Sequence, residues 1–179
     1  MRWRVHGERA IYTSEWVNLH LVEVEPPGMD PFEHHVVRLP NQAAGAVVHD
    51  PTHGVLLLWR HRFVPDTWGW EIPAGVLDPG ETPMEAARRE TIEESGWEPG
   101  TLRPLLRFHP MAGVVDQTFH VFLGEGARRV GEPDPAEASR VEWVPVADVR
   151  TELAAGRVTE GMSVAALSYA LAFGHLTAG

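Results

Sequence analysis

The strongest constraint on the fold of this chain is a run of carboxylates within residues 75–97. Glu93 and Glu94 follow Glu90 by three and four positions in a segment whose composition favours helix, so all three lie on one helical face. Like charges at this spacing repel, and each pair destabilises an isolated helix by roughly 0.2–0.5 kcal/mol. The cluster therefore requires a compensating cation, either Arg89 or a bound metal ion.

The residue types on this face favour a divalent metal ion. Carboxylate groups on one rigid helix are the hard oxygen donors that Mg²⁺ and Mn²⁺ prefer. The chain contains no cysteine, which removes the soft ligands of zinc and iron–sulfur sites and also excludes disulfide bonds. We predict an Mg²⁺ (or Mn²⁺) site on this helix.

The same segment resembles the signature of the Nudix hydrolases. The residues at the offsets of that signature are Gly75, Glu81, Arg89, Glu90, Glu93, Glu94 and Gly96. Two positions that are aliphatic in the family hold Thr91 and Trp97, and we expect these departures to affect packing more than chemistry. The resemblance implies an α/β (α+β) Nudix fold, in which a mixed β-sheet is sandwiched between helices.

The resemblance also implies roles for individual residues. Glu90, Glu94 and the carbonyl group of Ala74 would hold the metal ion, and Glu93 would reach a second ion or its water. Arg89 occupies the place of an arginine that binds the earlier motif glutamate and orients the neighbouring carboxylates. We therefore count Glu93 and Arg89 among the catalytic candidates and expect Arg89 to touch no substrate.

Segments before the motif narrow the resemblance to the ADP-ribose pyrophosphatase or ADP-sugar hydrolase branch. Residues 60–63 resemble the Arg-Gln-x-Arg piece of these enzymes, and residues 68–75 resemble their Trp-Glu-x-Pro-Ala-Gly piece. Planar guanidinium groups at the end of an apolar strand suit a pyrophosphate. We predict that Arg60, Arg62 and Glu71 bind substrate. The best single substrate is ADP-ribose, hydrolysed to AMP and ribose 5-phosphate.

The chain is predicted to divide into residues 1–40 and residues 41–179. Short alternating strands in the first region predict an antiparallel extension that is too small to be stable alone, so it should pack on the main domain or on a second copy of the chain. The resemblance to the ADP-sugar hydrolase branch implies the second copy, so we predict a homodimer. The second region is the expected catalytic domain, in which the apolar run Val55–Trp59 predicts a strand covered on both faces. Later elements predicted there are a mobile loop over 125–139 and helices over 146–155 and 160–174.

One loop departs from the family pattern. Alignment on Gly113 places Gln117 where the ADP-ribose pyrophosphatases have a glutamate that helps to activate the attacking water. A glutamine side chain cannot accept a proton, so this role falls to Asp116, to Glu93 or to a metal-bound hydroxide. We place the metal-bound hydroxide first, because Asp116 is one residue out of register and in an extended loop points the opposite way.

Charge restricts the partners of the protein. A net charge of −10 argues against nonspecific binding to nucleic acid or to an anionic membrane, since both require a basic surface. An anionic substrate would therefore depend on the metal ion and on local arginines. We find no signal peptide and no run of about eighteen apolar residues that would span a membrane, and we expect a cytoplasmic protein.

Two alternatives remain at the level of sequence. The motif does not define what is attached to the diphosphate, so the substrate could instead be a nucleoside triphosphate, coenzyme A or a dinucleoside polyphosphate. The chain could also be a nucleotide-binding regulator that kept the fold and lost catalysis. The intact Glu90, Glu93 and Glu94 argue against a regulator, whereas Gln117 argues for one.

Overall fold

The computed structural model of the protein describes residues 1–177. Its strands are β1 (Arg4–Tyr12), β2 (Asn18–Glu25), β3 (Phe32–Arg38), β4 (Ala43–Asp50), β5 (Gly54–Arg62), β6 (Thr67–Glu71), β7 (Ala74–Val76), β8 (Trp97–Phe108), β9 (Val115–Asp116), β10 (Phe119–Arg129) and β11 (Arg140–Val144). Its helices are α1 (Pro83–Ser95), α2 (Val146–Ala154) and α3 (Gly161–Ala172). No helix in these residues is both long enough and apolar enough to cross a membrane.

The chain forms two compact units. The first comprises Met1–Gln42 and His109–Thr118, and the second comprises Ala43–Phe108 and the described residues from Phe119 onward. The inclusion of residues 109–118 in the first unit was not foreseen from the sequence. The domain boundary after residue 40 stays a prediction.

The first unit is a four-stranded sheet in the order β1-β2-β3-β9. The pairs β1–β2 and β2–β3 are antiparallel, as predicted, and β9 adds a short parallel pairing to β3. The turn between β2 and β3 is closed by a hydrogen bond from the Met29 N–H to the Pro26 carbonyl, with an N–O distance of 3.2 Å. Every residue of β1 is exposed, so this edge strand has no cover within the unit.

The second unit contains a mixed sheet in the order β11-β5-β4-β10-β8, with β6 paired to β5 and β7 paired to β4. The β4–β10 pair is parallel, and the other pairs are antiparallel. Side chains of β5 alternate between the two faces of this sheet. Val55 and Leu57 belong to one core cluster with residues of α2 and α3, whereas Leu56 packs with Ala86 and Ala87 of α1. The sheet therefore lies between helices, as the predicted Nudix fold requires.

Local sequence fixes both ends of α1. Thr82 caps the N-terminus through a capping box, in which its hydroxyl accepts from the Glu85 N–H and the Glu85 carboxylate accepts from the Thr82 N–H. Pro83 stands at the first helical position, where its fixed φ and missing N–H are favourable. Gly96 ends the helix in the left-handed region, with φ of 74°. These signals set the register of the carboxylates on the helix.

The prediction of a mobile loop over residues 125–139 is wrong for its first part. Strand β10 continues to Arg129, where Ala127 pairs with Pro99 and Arg128 pairs with Glu98 of β8. The Gly and acidic residues disfavour a strand locally, but pairing along the whole of β8 outweighs that preference. Ordered structure therefore extends toward the segment that precedes β11.

Candidate active site

The three motif carboxylates lie in the last turns of α1 and differ in exposure. Glu94 is 3% exposed as a whole residue. The side chain of Glu90 is 14% exposed, and that of Glu93 is 55% exposed. The shared face predicted from their spacing thus runs from the buried contact with the sheet toward solvent.

Arg89 neutralises much of this face. Its guanidinium group donates two hydrogen bonds to the Glu81 carboxylate, both with N–O distances of 2.9 Å. It also donates to Glu90 at 2.7 Å and to Glu93 at 3.0 Å. The Glu81 contact raises the pKa of Arg89 most, so the group stays charged. The predicted contact between Arg89 and the motif glutamate is present in the structure.

Arg60 is the second cation of the site, and it is buried. β5 ends its apolar run at this residue, and Arg60 is only 5% exposed. Its Nη2 atom donates to Glu94 Oε1 at 2.7 Å, and its Nε atom lies 3.9 Å from Glu71 Oε2. Within residues 1–177 this buried Nε atom has no hydrogen-bond partner. A buried charge requires close compensation, and Glu94 provides it here.

Arg62 and Glu71 extend the same network toward solvent. The Arg62 guanidinium group donates to both Glu71 oxygens, with a shortest N–O distance of 2.6 Å. The Arg62 side chain is 46% exposed, whereas the Glu71 side chain is 5% exposed. Hydrogen bonding to Glu71 raises the pKa of Arg62. Arg62 is therefore a charged group that solvent and a ligand can reach.

The short strand β7 brings its backbone against the α1 carboxylates. The Ala74 N–H donates to Glu94 Oε2 at 2.8 Å, so both oxygens of Glu94 are engaged. A Cβ atom on Gly75 would lie 2.1 Å from Glu90 Oε1, a distance that atoms do not tolerate. Because Gly75 has no side chain, the Glu90 carboxylate can occupy the space next to the Gly75 backbone.

Burial controls the charge of the carboxylates. It raises the pKa of Glu94 to about 7, although Arg60 and the Ala74 N–H act in the opposite direction. Burial also raises the pKa of Glu90; Arg89 opposes this shift, whereas the charges of Glu93 and Glu137 add to it. An additional cation near these crowded carboxylates would therefore stabilise their charged forms.

The donor set fits a divalent metal ion. Within residues 1–177 no three His, Asp or Glu side chains gather their donor atoms as a metal site does, because arginines hold the carboxylates of α1. The available donors are nevertheless all hard oxygens, and the absence of a side chain on Gly75 lets the Glu90 carboxylate lie against the β7 backbone. Glu90, Glu94 and the Ala74 carbonyl are the groups that could hold an ion there, with Glu93 at the solvent side.

One acidic residue of this site was not predicted from the sequence. Glu137 lies in the segment between β10 and β11, and its Oε2 atom is 3.7 Å from Arg60 Nη1. The segment is held at both ends. The Asp134 N–H donates to the Glu93 carbonyl at 3.0 Å, and the Ser139 N–H donates to the Trp59 carbonyl at 2.9 Å. No local pattern marks Glu137, because its place depends on contacts between distant residues.

Asp116 is the one predicted site residue that belongs to the first unit. There its carboxylate accepts a hydrogen bond from Arg38 at 2.6 Å, and Arg38 also donates to Glu8 at 2.7 Å. The backbone carbonyl of Gln117 contacts His109 Nδ1 at 3.0 Å. Asp116 is thus already paired with a cation within its own sheet.

Comparison with known proteins agrees with this arrangement. A family model described as NUDIX domain matches residues 39–162, which include the whole carboxylate and arginine network of the second unit. The chain belongs to the Nudix hydrolase family. As in Nudix hydrolases generally, a divalent metal ion is the expected cofactor.

Relatives of this Nudix hydrolase act on several nucleotide derivatives. It is 42% identical over 170 residues to a CMP-5'-(N-acetyl-N-hydroxy-3-aminopropyl)phosphonate hydrolase of Streptomyces rubellomurinus, covering 94% of this chain and 82% of that protein. It is 30% identical over 127 residues to an ADP-ribose pyrophosphatase of Mycobacterium tuberculosis, covering 69% of this chain and 61% of that one. A crystal structure of an ADP compounds hydrolase has the same fold, with a TM-score of 0.80, 18% identity and coverage of 97% and 94%.

The space beside Gly75 yields a prediction. In Gly75→Ala the new Cβ must displace the Glu90 carboxylate, which is the end of a flexible side chain, so the fold should tolerate the change. We expect Mn²⁺ affinity, measured by titration calorimetry, to fall by roughly tenfold or more, with little change in melting temperature. Gly161→Ala, where a Cβ meets nothing within 4 Å, is the matched control. Unchanged Mn²⁺ affinity in Gly75→Ala would exclude Glu90 from the metal site.

Proposed function

We propose that this protein hydrolyses the diphosphate linkage of a nucleoside 5′-diphosphate derivative, with a divalent metal ion as cofactor. The observation that carries the proposal is that carboxylates of α1 and arginines of β5 lie together within the second unit. Glu90 and Glu94 of α1 lie against the backbone of β7, and the arginines of β5 lie beside them, with Arg60 bound to Glu94. A site that combines clustered hard oxygens with guanidinium groups suits a metal-bound diphosphate.

Arg62 and Arg60 have different roles in the proposed binding of substrate. Arg62 is half exposed and can turn from Glu71 to make bidentate hydrogen bonds to a phosphate group. Arg60 is buried and holds Glu94 in place, so we assign it to positioning, while direct contact of Arg60 with substrate stays a prediction. The metal ion, when bound, supplies neutralisation of the diphosphate charge.

We propose that Glu137 is the general base that accepts a proton from the attacking water. The motif carboxylates and Glu71 each accept a hydrogen bond from an arginine at 3.0 Å or less. Glu137 is 3.7 Å from Arg60, which is longer than a hydrogen bond, and its side chain is 47% exposed. Its carboxylate is therefore held at the site with oxygen atoms free to accept from water. For this reason we propose Glu137 as the proton acceptor in preference to the metal-bound hydroxide, Glu93 and Asp116, whose roles stay predictions.

The reaction is then a balanced hydrolysis. The water oxygen forms a bond to one phosphorus atom as Glu137 takes a proton, and the bond from that phosphorus to the bridging oxygen breaks. The bridging oxygen leaves with the other phosphoryl group as a phosphate monoester. Glu137 later releases its proton to solvent.

Replacement of Glu137 tests its role. Glu137→Gln should lower kcat by roughly 10²–10⁴-fold, the usual contribution of a positioned general base, and leave substrate affinity unchanged. Asp116→Asn should lower kcat by less than about tenfold. The matched control is Glu132→Gln, an exposed residue of the same segment that pairs with Arg129. A loss below tenfold in Glu137→Gln would remove Glu137 from the reaction.

Two substrates are supported, each by a different observation. ADP-ribose, which would give AMP and ribose 5-phosphate, follows from the sequence pieces around Arg60 and Glu71 and from the ADP-ribose pyrophosphatase relatives. A conjugate of CMP with a small phosphonate is the second candidate, because the relative at 42% identity bears that name. Both carry a nucleoside 5′-phosphate joined to a second phosphorus group.

A substrate panel tests the proposal. The protein should release AMP from ADP-ribose, or CMP from a CMP–phosphonate conjugate, with Mg²⁺ present and not with excess chelator. Glu94→Gln should lose most of this activity, because Glu94 is both a metal donor and the partner of buried Arg60, whereas Glu142→Gln on the exposed part of β11 should not. Release of monophosphate only from triphosphates, coenzyme A or dinucleoside polyphosphates would reassign the substrate. Tight nucleotide binding with no turnover would favour the regulator.

We also propose a homodimer formed through the first unit. Its exposed apolar residues support this, among them Val5 at 67%, Ile11 at 48% and Trp16 at 77%. Light scattering at micromolar concentration should give twice the chain mass of 19.9 kDa. Ile11→Glu should shift the mass toward one chain, and Glu15→Gln should not. A single-chain mass for the unaltered protein contradicts the dimer.

A cytoplasmic location stays a proposal, supported by the lack of cysteine.

A further inference from the structure

We propose that the hairpin tip between β5 and β6 binds the nucleobase of the substrate, with Phe63 as its stacking surface. This inference rests on the proposed function, because it extends the diphosphate site by one more contact. Its ligand class is a planar base attached to a 5′-phosphate.

The hairpin tip holds apolar side chains in solvent. Phe63 is 85% exposed and Val64 is 81% exposed. Asp66, in the same turn, has φ of 52°, in the left-handed region that aspartate tolerates better than most other residues. Its carboxylate contacts His61 Nε2 at 3.0 Å, which fastens the turn to its own strand. A fastened turn that holds an aromatic ring in solvent leaves that ring available to a ligand.

A cavity of about 460 Å³ lies beside this tip. Its walls include Phe63, Val64 and Pro65 from the turn, and Thr159 and Glu160 from the segment that leads into α3. This volume lies within the range of small-molecule sites, which combine apolar walls with a few polar groups. The apolar turn would cover one face of a base, and the threonine hydroxyl is available to its edge.

Arg62 connects the cavity to the diphosphate site. It lines the cavity, and it also donates to Glu71, whose carboxylate lies 3.9 Å from Arg60. Arg60 in turn is bound to Glu94 on α1. A nucleotide whose phosphate meets Arg62 would therefore have its base directed to the apolar turn. This continuity favours a nucleobase over an unrelated ligand as the occupant.

The test compares two monophosphates that differ by the base. AMP and ribose 5-phosphate are titrated against the full chain with Mg²⁺, by calorimetry. Phe63→Ala should weaken AMP binding by roughly five- to 150-fold, the usual range for loss of base stacking, and leave ribose 5-phosphate affinity unchanged. The matched control is Phe173→Ala, because Phe173 is also an exposed phenylalanine of the second unit, at 65%. Phe63→Trp should retain AMP binding.

The outcomes separate this inference from the proposed function. An unchanged AMP affinity in Phe63→Ala overturns the inference, as does an equal loss for AMP and ribose 5-phosphate, which would place Phe63 at the phosphate. A change in light-scattering mass with Phe63→Ala would assign the turn to contact between copies and also overturn it. Failure of the proposed function appears instead in the unaltered protein, as absence of turnover across the substrate panel.

Discussion

The buried ion pair between Arg60 and Glu94 is the interaction on which the active site depends. An unpaired charge in this position would be strongly unfavourable, so the two residues hold each other in the protein interior. Glu94 also accepts from the Ala74 N–H, and Arg60 approaches Glu71 and Glu137. One guanidinium group thus joins the sheet, the helix, the β7 backbone and the segment before β11.

Around this pair the site is built by the periods of strand and helix. Alternation along β5 places Arg60 and Arg62 on the same side of the strand, while the intervening His61 points to the other side. The helical spacing of Glu90 and Glu94 brings both carboxylates to the neighbouring β7 backbone. Arg89 compensates the outer part of that face. The site therefore keeps an excess of negative charge, because three arginines contact six glutamate carboxylates. Each arginine has a separate task.

Much of this arrangement could be predicted from the sequence, because it follows from local spacing. The helix, its carboxylate face, the Arg89 contact and the covered strand β5 are all present as expected. The burial of Arg60 was not predicted, since its partner is 34 residues away. Glu137 lies 77 positions from Arg60, and no periodic pattern connects them. Residues 125–129 were misassigned because pairing with β8 outweighs their composition. Local periodicity reports which residues share a face, and only the assembled topology reports what that face meets.

The direction of α1 has a consequence for cation binding. The peptide dipoles of a helix sum to partial negative charge at its C-terminal end, where proteins usually place basic residues. α1 ends with Glu93 and Glu94 and has no basic residue in its last turn. Its carboxylates therefore add to the backbone field instead of opposing it. This placement of acidic residues makes the C-terminal end of the helix less stable. It also gives a stronger negative potential for a small, doubly charged cation than the side chains alone would supply.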